Sequence, residues 1–140
     1  MQDEQPLTWF MSRRVPLPLA AAAVALDGLV EHRRRDAPPA AVPLTDELEV
    51  WPVTPLPGGP RRLGARLRVG GLARTLPVEL ELAPWSRLES EVGLRPTRRV
   101  GLARAERYWS GGADALDAVR HALPWFVPAP VAARELLAAS

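Results

Sequence analysis

Three side chains toward the C-terminal end have the types and spacing for chemistry: Asp114, Asp117 and His121. On a helix these positions fall near one face, and two carboxylates with an imidazole can bind a divalent cation or run acid–base catalysis. The plainer reading is electrostatic, since acids early in a helix and a histidine near its end both suit the helix dipole. That reading carries more weight. Glu89 and Glu91 form a second acidic pair on one side of a strand, but Arg87 and Arg95 share that side, as on a solvated sheet face. His32 is the only other histidine. The chain has no dinucleotide-binding glycine fingerprint, no nucleophile elbow and no zinc-type histidine–glutamate helix motif. Cysteine and lysine are absent altogether, which removes thiol nucleophiles, thiolate metal sites, Schiff-base chemistry and the phosphate-loop lysine. No catalytic residue, metal or cofactor is therefore expected, and enzymatic activity is left open.

The aromatic residues are the more distinctive feature. There are five tryptophans, and Trp51, Trp85, Trp109 and Trp125 fall at or near the ends of elements. They could line a ligand cavity, whose walls are typically apolar and aromatic; core filling and edge sealing is the plainer expectation. Arginine supplies all the cationic charge, and the net charge is only +2. The high pI of about 10.3 does not signal a basic surface. Without lysine or cysteine, little but Tyr108 titrates between about pH 8 and 12. The arginine runs at 33–35, 61–62 and 98–99 could contact phosphates, but acids are spread through the same sequence. No aromatic sits among these arginines to stack a base, so nucleic acid is not an expected partner. An alanine-, proline- and arginine-rich chain without lysine points to a bacterial high-GC genome.

These side chains must be positioned by one small domain spanning 1–140. The 47% apolar and 24% charged content argues for an ordinary globular chain rather than a disordered one. The longest apolar run, Val15 to Leu26, holds two prolines and falls short of the ~20 residues a membrane span needs. Leu7 to Val15 reads as a strand, and Leu19 to His32 as a helix with Arg33–Arg35 beyond its C-terminus. Asp36 to Pro43 reads as a loop. Leu48 to Val53 is a strand cut short by Pro52. Leu63, Ala65, Leu67 and Val69 alternate with polar residues, as do Leu72, Leu76, Val78, Leu80 and Leu82 after Gly70-Gly71. That predicts a hairpin with a two-residue glycine turn. The register then pairs Leu67 with Arg74, Ala65 with Leu76 and Leu63 with Val78, and sets Arg62 opposite Glu79. Pro77 faces Gly64 without harm to the hairpin, but its missing N–H disturbs pairing on the other side. After a turn around Ala83–Ser86, Leu88, Ser90, Val92 and Leu94 form a further strand. Ala113 to Leu123 is a helix ended by Pro124, with Gly111-Gly112 either separating it from a helix before or kinking one long helix. Residues 128–140 hold at most a short peripheral helix. Ser12-Arg13-Arg14 ahead of an apolar run resembles a twin-arginine export signal. Pro16 and Pro18 oppose it, and a cytoplasmic protein is expected.

The expected class is thus α+β: an antiparallel sheet of about four to six strands packed on one or two helices. This order resembles the helix-grip fold of the START-like (SRPBCC, polyketide-cyclase-like) superfamily, in which a curved antiparallel sheet wraps a long C-terminal helix. The residues carrying the resemblance are Phe10–Leu29, the meander Arg61–Pro96 and the helix Ala113–Leu123. It implies binding of a hydrophobic small molecule between sheet and helix, lined by Leu67, Leu76, Val78, Val92, Tyr108 and Trp109, with Arg74 as the polar anchor. Some members of that superfamily are cyclases or hydrolases, but no residue here selects a reaction. The alternative is a non-catalytic interaction module, a homodimer or other protein–protein assembly, with the aromatics as anchors.

Overall fold

The computed structural model describes residues 11–34, 41–51, 61–68, 75–97 and 101–127. Six strands and two helices follow one another: β1 (Met11–Val15), α1 (Leu19–Arg34), β2 (Val42–Pro43), β3 (Leu48–Trp51), β4 (Arg61–Leu67), β5 (Leu76–Pro84), β6 (Ser90–Pro96) and α2 (Leu102–Ala122). A one-turn 3-10 helix, Leu123–Phe126, closes the described chain. The strands form one antiparallel sheet in the order β1-β6-β5-β4-β3-β2. The fold is α+β, as the pattern predicts.

Local chemistry explains the corners. Leu17 N–H donates to the Val15 carbonyl at 2.8 Å and Ala22 N–H to the Pro18 carbonyl at 2.9 Å, so the chain turns sharply from β1 into the first turn of α1. The β2–β3 and β5–β6 turns use one device twice. Thr45 Oγ1 accepts the backbone N–H groups of Glu47 and Leu48, and Ser86 Oγ accepts those of Leu88 and Glu89. A hydroxyl bonding backbone ahead of it closes a tight loop without glycine. The α-helical part of α2 runs through Gly111 and Gly112 without a break, and both glycines are buried. Pro124 belongs to the 3-10 turn beyond it.

One core holds the layers together. Leu63, Ala65 and Leu67 of β4, Leu76, Val78, Leu80 and Leu82 of β5, and Val92 and Leu94 of β6 all point to the helix side. There they meet Ala22, Ala25, Leu26 and Leu29 of α1 and Ala105, Tyr108, Leu116 and Val119 of α2. Phe126 of the 3-10 turn lies against α1 at Gly28, where a Cβ would sit 3.5 Å away, in ordinary contact.

The hairpin register differs from the expected one by two residues. Leu67 pairs with Leu76, Ala65 with Val78, Leu63 with Leu80, and Arg62 with Glu81. The expected register would set Leu67 against the charge of Arg74; the observed one sets leucine against leucine on the buried face. Gly70-Gly71 and Arg74 lie outside the described residues. Pro77 now faces Arg66, and the β5–β6 ladder stops beside it at Val78–Pro96, with Thr97 N–H donating to the Pro77 carbonyl at 3.3 Å. The proline thus limits pairing on the β6 side, as expected. Leu88 lies in the β5–β6 turn and is 52% exposed rather than on the apolar side of a strand. Val42–Pro43, within the expected loop, forms the short strand β2.

The outer face of the sheet is charged. Arg62 meets Glu81 at 2.9 Å, Arg95 meets Glu79 at 2.9 Å and Glu81 at 3.6 Å, and Arg66 and Arg68 share Glu49 at 2.9 and 3.4 Å. The Glu79 hydrogen bond, then the Glu81 charge, raises the Arg95 guanidinium further above its already high ordinary value.

Both sheet edges are blunted. At one end β2 is two residues long and includes a proline. At the other, Arg13 reaches from β1 to Asp117 of α2 at 2.9 Å, and its Nη1 donates to the Ser12 carbonyl at 2.9 Å.

Candidate functional site

The C-terminal half of α2 is flanked by two clefts, each built from segments far apart in sequence. The larger, of about 520 Å³, lies between the last turns of α1, the β2–β3 turn and α2. Helix α1 supplies Leu29, His32 and Arg33; the turn supplies Pro43, Leu44, Thr45, Asp46 and Glu47; α2 supplies Asp114, Ala118, Val119 and Ala122. Leu29, Leu44 and Val119 lie behind the cleft in the core, and Pro43, Ala118 and Ala122 give it its accessible apolar surface. Arg33, Asp46 and Asp114 are exposed and form a polar rim.

The rim is partly fixed. The His32 ring packs against Phe126, with centroids 5.4 Å apart and planes tilted at 54°. Thr45 Oγ1 accepts two backbone N–H groups and donates to Glu47 Oε1 at 3.3 Å, which holds the turn and orients that carboxylate. The Arg33 guanidinium stands on the α1 wall and carboxylates on the other two. The arrangement can hold a small molecule with an apolar body and a polar end. The Thr45 hydroxyl is engaged with its own turn, through two backbone N–H groups and the Glu47 carboxylate.

The smaller cleft, about 370 Å³, is lined by Arg14, Pro16, Glu89, Arg120, His121 and Pro124. It divides the Asp114, Asp117 and His121 constellation. Asp114 lines the large cleft, His121 the small one, and Asp117 is paired with Arg13 on β1. Among the described residues no group of three or more histidines or acids is placed to hold a metal ion. The helix-face spacing was real, but the face is a ridge between two clefts.

The residues expected to line a ligand site separate in a different way. Leu67, Leu76, Val78, Val92 and Tyr108 are all at most 3% exposed and pack in the core, whereas Trp109 is 48% exposed. None of them lines either cleft. The other described tryptophans are not fully buried. Trp85 is 50% and Trp125 86% exposed, while Trp51 is half-buried with the Arg66 guanidinium 5.1 Å from its ring. No described helix is long and apolar enough to cross a membrane.

The large cleft was missed because its three walls come from segments that composition and spacing treat separately. The Thr45 and Glu47 turn is the one local signal that points to it. No protein-family model matches the sequence, and no curated protein is significantly similar to it.

Proposed function

We propose that this protein is a small-molecule-binding domain of the START-like, helix-grip kind. Its ligand has an apolar body and occupies the cleft between α1, the β2–β3 turn and α2. The observation that carries the reading is that cleft. At about 520 Å³ it falls in the size range of ligand pockets, and it combines apolar surface from Pro43, Ala118 and Ala122 with a rim of polar groups. The strand order, with β1 beside β6 and α2 laid against the buried side of the sheet, supports the same reading. The site lies nearer the ends of the helices than the positions around Leu67 and Tyr108. Its role is binding: the lining holds groups that can orient a ligand, and none poised to attack one.

Native mass spectrometry of protein purified without denaturation from a high-GC bacterial host tests this. The expected spectrum shows a discrete extra mass that leaves under mild activation. In Ala118→Trp, which places a ring in the cleft from an exposed helix position, that mass is lost while the fold is kept. A mass retained by Ala118→Trp would move the ligand elsewhere. A bare spectrum for the natural sequence would count against the reading altogether.

A further inference from the structure

The large cleft differs from the rest of the molecule in how its charges are matched. On the sheet, Glu49, Glu79 and Glu81 are each bridged to arginine, and on α2 Asp117 is bridged to Arg13. Asp114 lies one turn before Asp117 and lines the cleft instead, facing Asp46 and Glu47 of the β2–β3 turn. None of these three carboxylates is in an ion pair among the described residues. Against them the lining sets one guanidinium, Arg33, and one imidazole, His32. The lining is therefore net negative whatever charge His32 carries.

We propose, on the reading that this cleft is a ligand site, that its ligand is an organic cation: an ammonium group carried on an apolar body. The ammonium offers three N–H donors and no acceptor, which suits carboxylates standing on two different walls. Glu47 is already oriented by the Thr45 hydroxyl, so less freedom is lost when it accepts such a donor. The carboxylates are spread around the space and not gathered at a point. No three of the described acids and histidines are placed to hold a bare metal ion, and the volume of about 520 Å³ admits a molecule with a stem. Pro43, Ala118 and Ala122 provide apolar surface for that stem. An anionic ligand fits less well, because it would find one partner in Arg33 and three like charges. Such repulsion discriminates between ligands as effectively as attraction does. Each exposed charge contact is worth little by itself, so the preference comes from several together.

The test is a titration of the full chain with hexylamine, hexanol and hexanoate at neutral pH and low salt, followed by backbone amide NMR shifts. The three probes share one stem and differ in the charge at its end. The expected result is that hexylamine shifts amides of the β2–β3 turn and the C-terminal half of α2. It binds about tenfold more tightly than hexanol, hexanoate binds most weakly, and added salt narrows the difference. In Asp46→Asn, Asp114→Asn, hexylamine and hexanol bind alike. Both positions are exposed, and unchanged amide shifts away from the cleft would show that the fold is intact. Equal binding of all three probes, lost in Ala118→Trp, overturns the cationic ligand and leaves the cleft as a binding site. A preference for hexylamine that survives Asp46→Asn, Asp114→Asn overturns the proposal as well. Hexylamine binding undiminished in Ala118→Trp overturns both the cation and the cleft. If hexylamine shifts no amide of the cleft, the cationic ligand is overturned, and the mass retained in the native spectrum decides separately on the cleft.

Discussion

The two faces of the sheet are made by the same strands and carry opposite chemistry. On the helix side Leu80 and Leu82 of β5 sit at 1% and 0% exposure among other aliphatic side chains. One residue away on the same strand, Glu79 and Glu81 lie on the outer side, each bridged to an arginine of a neighbouring strand. Burial of a leucine is worth roughly 1.5–3 kcal/mol, whereas a surface ion pair is worth about 0–1 kcal/mol. The inner face therefore supplies the stability, while the outer face keeps the strands soluble and favours particular pairings.

That contrast can be broken or sharpened by measurement. Leu80→Ala, at the centre of the sheet, should lower unfolding stability by about 2–5 kcal/mol in urea or guanidinium melts. A loss below about 1 kcal/mol would show that the core is loosely packed and that the comparison is wrong. Ser90 is the exception on the inner face, fully buried with its hydroxyl unpartnered. Ser90→Ala should be neutral or stabilising by up to about 1 kcal/mol, because an unsatisfied polar group is removed and little volume is lost. A clear destabilisation would reveal a hydrogen bond to an ordered water. The smallest effect belongs to the outer face. A double-mutant cycle on Arg62→Ala and Glu81→Ala should give a coupling of about 0.2–1 kcal/mol that shrinks with salt. A coupling of Arg62 to Glu79 instead would contradict the register. Alkaline pH will not report on Arg95, because a raised guanidinium keeps its full contribution below its ordinary value and loses it only as the pH climbs from there through the raised one, beyond any working range.

The hairpin also shows what could be read in advance. Alternation assigned Leu63, Ala65, Leu67, Leu76, Val78 and Leu80 to the buried side correctly, yet each cross-strand partner was misplaced by two. A slip of two keeps every side chain on its own face, so periodicity is blind to it. Charge was blind as well, since Glu79 and Glu81 lie on the same side and either can meet Arg62. Only the conflict of Leu67 with Arg74 distinguished the registers. The tryptophans misled for another reason. A position at the end of an element is compatible with capping the core or with standing clear of it, and composition does not separate the two. The large cleft was the least legible feature, because it exists only once α1, the β2–β3 turn and α2 are brought together.

A sheet with free ends is also a template on which identical molecules can polymerise. Here β2 stops after two residues at a proline, and on β1 Arg13 ties the Ser12 carbonyl to the ion pair with Asp117. Neither described edge presents a long, flat run of backbone to a neighbour. Among the described residues, adding a strand at β1 would first require Arg13 to let go of the Ser12 carbonyl.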